Sequence, residues 1–218
     1  MEKLNLNNEQ ALHVQIMKKL LIAFQKKPMI LKGGTALFLC YQSERFSEDI
    51  DLDAKNHFNL ASDIKQVFEA YSDVTLVSLK VHKNTDTVKR YVLRYQTQYG
   101  LESLKIETSF RNGYDECKSQ LIDNIRVYNI TELIEQKTNV LQFRRKIRDL
   151  YDIHFLLTHY PEQFSSIHLA RIKQLGGASN IVNIYQYSYE EDYLPEHISL
   201  EMLAIEIEDK LINQLEKG

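Results

Sequence analysis

Residues 47–53 read Ser-Glu-Asp-Ile-Asp-Leu-Asp, the most informative pattern in the sequence. Side chains alternate along a β-strand, so Asp49, Asp51 and Asp53 lie on one face and two apolar residues lie on the other. The apolar face indicates a strand that packs into a sheet. At a rise of ~3.3 Å per residue, neighbouring acids on the polar face are roughly 6.5–7 Å apart. Two carboxylates at that spacing can reach one or two hard cations, and oxygen ligands suit Mg²⁺ or Mn²⁺ rather than zinc.

A solvated acidic edge strand would show the same pattern, so the neighbouring sequence matters. Upstream, the apolar run Met29–Leu31 predicts a buried strand, and Ala36–Tyr41 predicts a helix. Gly33, Gly34 and Thr35 form the predicted turn between them. Successive backbone N–H groups at the start of a helix can hold a phosphate, which favours a phosphate-binding turn. An ordinary tight turn has the same composition.

A third acid lies on a strand further along the chain. Residues 101–110 alternate between apolar and polar side chains, and Glu107 shares the polar face with Lys105. A cross-strand ion pair is one interpretation of Glu107. A third metal ligand is the other, on condition that this strand lies beside the strand that carries Asp49 and Asp51.

The rest of the chain divides into two parts. Up to residue 128, strand patterns alternate with amphipathic helices, the first of which Asn8 would cap; from Thr131, predicted as another N-cap residue, the apolar period is helical. The sequence therefore predicts an α+β fold with a mixed domain at residues 1–128 and a helical domain at 129–218. The helices predicted after the one that begins at Thr131 are 148–158, 164–175 and 200–215, with a break at Gly176–Asn180.

Composition excludes several classes of protein. The 218 residues are 44% hydrophobic and 26% charged, with a net charge of −3, which excludes collagen-like and strongly disordered chains. Two cysteines without a CxxC pair argue against a disulfide scaffold or a zinc site. No apolar run approaches the ~20 residues of a membrane helix, and no signal-peptide pattern is present. We expect a cytoplasmic protein with no membrane partner.

Basic residues cluster in two places despite the acidic net charge. One group lies with Tyr91, Tyr95 and Tyr99 on a predicted hairpin, and the other lies near the end of a helix. Nucleic-acid binding with stacking on tyrosine is one interpretation, and ordinary strand composition with a solvated helix end is the other. The basic residues concerned are Lys80, Lys83, Lys89, Arg90, Arg94, Arg144, Arg145, Lys146 and Arg148.

Several of these segments together resemble a known family. Residues 31–37 (Leu-Lys-Gly-Gly-Thr-Ala-Leu) and 45–53 resemble the first motif of the AbiEii/AbiGii-type toxin nucleotidyltransferases, within the DNA polymerase β-like superfamily. Glu135-Gln136-Lys137 and residues 145–152 resemble the helical lysine and the Arg-Asp-x-x-Asp segment of that family. The resemblance covers the mixed domain and about 30 residues beyond it.

The resemblance implies a nucleotidyltransferase-type mixed β-sheet flanked by helices and a helical C-terminal domain that completes the nucleotide site. It implies a catalytic set of Asp49, Asp51, Glu107 and Asp149. The first three would hold Mg²⁺ or Mn²⁺, and Asp152 would be structural. The implied nucleotide-binding residues are Gly33, Gly34, Thr35, Ser47, Lys137 and Arg145.

The implied reaction transfers a nucleoside monophosphate from a nucleoside triphosphate to a hydroxyl of RNA, tRNA in particular, or of a protein. The protein would be the toxin of a toxin–antitoxin or abortive-infection system, with a cognate antitoxin as partner. A non-catalytic nucleotide- or RNA-binding module of the same fold is the alternative. A metal-dependent nuclease is a third hypothesis, against which the Gly33–Thr35 turn speaks because a nuclease has no triphosphate to hold.

The spacing of residues in the helical part allows plain interpretations as well. Lys137 lies four residues from both Leu133 and Leu141, on an apolar stripe, so its ammonium group needs either water or an anion such as a triphosphate. Arg145–Asp149 and Arg148–Asp152 have the i,i+4 spacing of exposed helical ion pairs. Such pairs stabilise a helix by only about 0.3–0.5 kcal/mol.

Overall fold

The computed structural model describes residues 6–111, 114–191, 194–195 and 197–216. The chain divides into two compact units. The first comprises residues 1–42 and 46–128, and the second comprises residues 43–45 and 129–218. No helix within the described residues is long and apolar enough to cross a membrane.

The first unit is built on a mixed sheet, which confirms the predicted α+β class. Seven strands lie in the order β3-β4-β5-β2-β1-β7-β6 in the described part of the chain. The pairs β2–β5 and β1–β7 are parallel and the other pairs are antiparallel. The strands are β1 Met29–Lys32, β2 Ile50–Ala54, β3 Thr75–Asn84, β4 Val88–Thr97, β5 Gly100–Ser109, β6 Ser119–Ile122 and β7 Ile125–Tyr128. The short strand β6 is absent from the sequence prediction.

Three α-helices accompany the sheet in the described part of the first unit: α1 Asn8–Phe24, α2 Gly33–Tyr41 and α3 Ala61–Glu69. The cap of α1 is Asn7 and not Asn8, because the Asn7 side chain accepts a hydrogen bond from the Gln10 backbone N–H at 2.8 Å while the Gln10 side chain accepts one from the Asn7 N–H. Helix α2 begins at Gly33, three residues earlier than predicted. The glycines are therefore its first turn.

The second unit is helical in its regular structure. Its helices are α4 Ile130–Val140, α5 Ile147–His159, α6 Ser166–Lys173, α7 Ala178–Glu191 and α8 Leu200–Leu215. Asn129 caps α4 through a hydrogen bond from the Glu132 N–H at 2.9 Å, so the prediction of Thr131 as the cap is wrong by two residues. Helix α7 is absent from the sequence prediction. Its buried residues Ile181, Tyr185 and Ser188 follow a helical period that could have identified it.

The hairpin tyrosines Tyr91 and Tyr95 belong to the core. Their exposed fractions are 1% and 0%, and both hydroxyl groups make hydrogen bonds inside the first unit. Stacking of nucleic-acid bases on these two rings is therefore excluded, and the ordinary strand interpretation is correct for them. Tyr99 is 43% exposed and lies at the turn between β4 and β5.

Candidate active site

A row of charged side chains crosses four adjacent strands of the sheet. Asp51 on β2 pairs in register with Lys32 on β1 and with Glu107 on β5, and Glu107 pairs with Arg90 on β4. Register partners project from the same side of a sheet, so two acids lie side by side between two bases. Glu107 is therefore beside the Asp49–Asp51 strand, which was the condition for its interpretation as a third ligand.

Asp51 is the central acid of this row. In the part of the chain that the structure describes, no hydrogen bond reaches its carboxylate. Burial raises the pKa of Asp51, Lys105 opposes that rise, and the negative charges of Asp49 and Glu107 add to it. A cation bound to the Asp51 carboxylate would offset the cost of burying its negative charge and its repulsion by Asp49 and Glu107.

The two flanking acids, by contrast, have basic partners. Lys105 Nζ lies 2.5 Å from Asp49 Oδ2, and an Arg90 guanidinium nitrogen lies 2.6 Å from Glu107 Oε2. Glu107 thus makes the cross-strand ion pair that the sequence allowed, with Arg90 as its partner. All four side chains keep contact with solvent, so each pair is a partly exposed one.

The glycine turn meets the acidic strand directly. Gly33 has a φ of +74°, a left-handed conformation that favours glycine, and a Cβ atom at this position would lie 3.6 Å from Asp51 Oδ2. Backbone N–H groups in the first turn of a helix have no partner within the helix. Gly33 therefore brings the first turn of α2 next to the carboxylate of Asp51.

Thr35 and Ser47 connect this turn to the loop before β2. The Thr35 hydroxyl donates to the backbone carbonyl of Asp49, and Ser47 Oγ lies 2.7 Å from Thr35 Oγ1. Because Thr35 uses its only hydroxyl proton on Asp49, the Ser47 hydroxyl donates to Thr35. These hydrogen bonds fix the backbone at Asp49. Because they use the Thr35 hydroxyl, the backbone N–H is the group through which Thr35 can contact a phosphate.

Asp53, the third acid of the strand, has a different environment. It lies on the same face but is only 1% exposed, with Lys32 Nζ at 2.5 Å and the Tyr128 hydroxyl at 2.9 Å. Its charge is therefore already neutralised inside the sheet. Asp53 joins β1, β2 and β7 and is not available as a metal ligand.

Sequence reasoning missed one residue that supports the loop. His13 on α1 contacts the Glu48 carbonyl through Nε2 at 2.9 Å, and the Tyr95 hydroxyl lies 2.6 Å from His13 Nδ1. A carbonyl only accepts, so His13 Nε2 carries a proton and donates to the Glu48 carbonyl. The relay fixes the residue next to Asp49. Its one signal in the sequence is a histidine on the apolar side of α1.

The second unit contains a separate charged cluster. Lys137 Nζ lies 2.5 Å from Asp152 Oδ2 and 3.2 Å from Asp149 Oδ1. Arg45 also binds Asp152, with both carboxylate oxygens engaged, and Arg144 binds both oxygens of Asp149. Burial alone would raise the pKa of Asp149, but Lys137 and Arg144 lower it.

The prediction of exposed i,i+4 pairs in this region is wrong. Asp149 and Asp152 are 1% and 0% exposed, and their partners are the residues just named. Arg145 instead donates to the backbone carbonyl oxygens of Leu141 and Arg144. The spacing rule failed because it assumes a solvated helix face, whereas this face of α5 is buried.

The site residues predicted from the sequence thus form two groups. The first unit holds Gly33, Gly34, Thr35, Ser47, Asp49, Asp51 and Glu107, and it brings all seven into one neighbourhood of the sheet. The second unit holds Lys137, Arg145 and Asp149, of which Lys137 and Asp149 are in direct contact. The catalytic or nucleotide-binding roles of both groups stay predictions.

The acids of the first group are of the kind that a hard divalent ion prefers. Within the described residues, no three His, Cys, Asp or Glu side chains are arranged as a metal-binding group. The donor chemistry nevertheless suits such an ion, because Asp49 just before β2, Asp51 on β2 and Glu107 on β5 offer carboxylate oxygens. Asp51 has no cationic partner within hydrogen-bonding distance among the described residues.

A known family matches most of the chain. The model of the family described as "Nucleotidyl transferase AbiEii toxin, Type IV TA system" matches residues 15–215. The chain belongs to this family. It is therefore a nucleotidyltransferase toxin, as the motifs at residues 31–37 and 45–53 predicted. No sequence among curated proteins matches the chain significantly.

Solved structures agree with the family. JHP933 from Helicobacter pylori is 31% identical with a TM-score of 0.90, over 98% of this chain and 94% of that one. A proposed nucleotidyltransferase from H. pylori is also 31% identical, with a TM-score of 0.89 over 97% of each chain. MenT4, a nucleotidyltransferase toxin from Mycobacterium tuberculosis, shares the fold at 16% identity, with a TM-score of 0.56 over 95% of this chain and 87% of that one.

Proposed function

We propose that this toxin transfers a nucleoside monophosphate from a nucleoside triphosphate to an acceptor hydroxyl and that it requires Mg²⁺ or Mn²⁺. One observation carries the proposal. Asp51, flanked by Asp49 and Glu107, has a raised pKa and no hydrogen-bond partner among the described residues, and it lies against the Gly33 turn. An acid so placed is stabilised by a divalent cation, and the adjacent backbone donors suit a phosphate.

Each residue of this site then has a role in the proposed reaction. Asp49, Asp51 and Glu107 would hold the metal, which when bound polarises the phosphoryl oxygens and favours the ionised acceptor hydroxyl. The N–H groups of Gly33 and Gly34 bind triphosphate oxygens. Thr35 and Ser47 keep the loop in place so that the acids and the turn stay in contact.

We further propose that the acceptor is a hydroxyl of RNA, tRNA in particular, or of a protein. The family supports a nucleotide substrate and suggests an antitoxin partner. The roles predicted for Lys137, Arg145 and Asp149 belong to this proposal and follow from the resemblance alone.

Labelling tests the reaction. The purified protein is incubated with each of the four ribonucleoside triphosphates labelled at the α-phosphate, with Mg²⁺, total RNA and a protein extract. We expect label in RNA or in a protein, and the labelled fraction identifies the acceptor. Asp51→Asn should reduce the rate by at least about 100-fold, the order expected when a metal site is impaired.

Asp86→Asn is the matched control, because Asp86 is an exposed acid of the same unit in the loop between β3 and β4. Label in neither RNA nor protein would contradict the proposal. If Asp49→Asn combined with Asp51→Asn kept the toxic effect on growth, the non-catalytic binding module would be the better explanation. Shortened RNA in place of labelled RNA would indicate the nuclease.

A further inference from the structure

Lys105 and Arg90 are basic residues to which the resemblance gives no role. Lys105 lies on β5 beside Asp49, and Arg90 lies on β4 beside Glu107. Their side chains are 37% and 39% exposed, so both are reachable from solvent and free to change partner. Exposed ion pairs are weak, which makes such an exchange easy.

The acids that these bases hold are the same acids that would hold the metal. A divalent ion on Asp49 and Glu107 competes with Lys105 Nζ and with the Arg90 guanidinium for the same carboxylate oxygens. Asp51 lies between the two pairs and has no such competitor within hydrogen-bonding distance in the described part of the chain. Among the described residues, Asp51 is therefore without a basic partner at that distance, whereas Asp49 and Glu107 are each paired with a basic side chain that a metal ion could displace.

We propose that Lys105 and Arg90 are triphosphate-binding residues that Asp49 and Glu107 hold until a divalent ion replaces them. This inference rests on the proposed metal site. Once released, the side chains of Lys105 and Arg90 remain on the face of the sheet that the Gly33 turn borders, where the phosphates are proposed to bind. The planar guanidinium of Arg90 can bind two phosphate oxygens at once, and the Lys105 ammonium acts as a point charge.

The other bases nearby do not fit this role. Lys32 lies in the same row, but its ammonium group is bound to Asp53, which is 1% exposed and would lose its partner. Lys89 is the neighbour of Arg90 on β4 and alternates to the opposite side, where its Nζ donates to the Phe58 carbonyl at 3.2 Å. Lys89 is thus a matched control of the same charge on the same strand.

The first measurement is Mn²⁺ binding to the nucleotide-free protein by calorimetry. Lys105→Met and Arg90→Met should each bind Mn²⁺ about 5-fold more tightly than the unmodified protein, because a competing exposed ion pair is removed. Lys89→Met should stay within about 2-fold, since screening by salt weakens the effect of a distant charge.

The second measurement is binding of inorganic tripolyphosphate to the Mn²⁺-saturated protein, a probe that avoids the unknown base preference. Lys105→Met and Arg90→Met should weaken this binding by about 10-fold, the order of a charge-assisted hydrogen bond. Arg90→Lys should recover part of the loss. Lys89→Met should bind as the unmodified protein does.

The outcomes separate this inference from the function on which it rests. If the unmodified protein binds no Mn²⁺, the proposed metal dependence is wrong. If it binds Mn²⁺ but the Lys105 and Arg90 variants match Lys89→Met in both measurements, the two bases are structural and this inference is wrong. Thermal unfolding checks that each variant is folded, and Lys105→Gln and Arg90→Gln replace any methionine variant that is not.

Discussion

The two charged clusters of this protein use similar residues in opposite ways. In the helical unit, Asp152 binds Arg45 and Lys137, and Asp149 binds Arg144 and Lys137. In the sheet, the central Asp51 has no hydrogen-bond partner among the described residues, and its flanking acids are half-exposed. The pKa of Asp149 is lowered and that of Asp51 is raised.

The comparison distinguishes a charged cluster that stabilises the fold from one that is suited to binding a cation. The charge of a buried carboxylate with two basic partners is already balanced, and these partners would be left as unpaired buried charges if it were removed. A carboxylate whose pKa is raised by burial and by neighbouring acids is less stable in its ionised form than it would be with a cation. The helical cluster of Arg45, Lys137, Arg144, Asp149 and Asp152 therefore stabilises its unit as it stands, whereas the sheet cluster around Asp51 would gain stability from a bound cation.

The largest expected effect is on the helical cluster. Asp152→Ala would leave Arg45 and Lys137 buried without the carboxylate that both contact, so we expect the free energy of unfolding to fall by about 3–5 kcal/mol. Urea unfolding measures it. Asp51→Asn is the comparison, and its unfolding free energy should change by no more than about 1 kcal/mol. If the two variants lose the same free energy of unfolding, the two clusters do not differ in their contribution to stability.

The pH dependence of stability should follow the lowered pKa of Asp149. Its folded-state pKa lies below the ordinary 3.8, so the ionised carboxylate contributes stability that is present above pH 3.8 and is lost as the pH falls through the folded value. The difference in unfolding free energy between the unmodified protein and Asp149→Asn should therefore shrink in acid. Urea unfolding at a series of pH values measures this difference, and one that stays flat into strong acid would contradict the pairing with Lys137 and Arg144.

The smallest effect concerns the hydrogen bonds that join Tyr95, His13 and the Glu48 carbonyl. Tyr95→Phe removes the hydrogen bond to His13 and should lower the unfolding free energy by about 1 kcal/mol. Tyr71→Phe is the control, because the buried Tyr71 hydroxyl has no hydrogen-bond partner among the described residues and its loss should cost nothing. If Tyr71→Phe costs as much as Tyr95→Phe, the relay makes no specific contribution.

Much of the sheet cluster could be predicted because its signals are local. The alternation of residues 49–53 and of residues 101–109 follows the two-residue period of a strand. The structure places residues 50–53 in β2, with Asp49 directly before it, and residues 101–109 in β5. Helix α7 is absent from the sequence prediction, which has a break at Gly176–Asn180 and its next helix at residues 200–215. The spacing does not predict the partners in the helical cluster, because i,i+4 spacing carries no information on whether the helix face is buried.

Local sequence was enough for the family, the strand that carries Asp49 and Asp51, and the glycine turn before it, because each depends on residues close together in the chain. The contacts that complete each cluster join residues far apart. Arg45 meets Asp152 across 107 positions, and Asp49 meets Lys105 across 56. Such pairings depend on which strands and helices pack together, and packing is set by the burial of the whole apolar core rather than by any one segment.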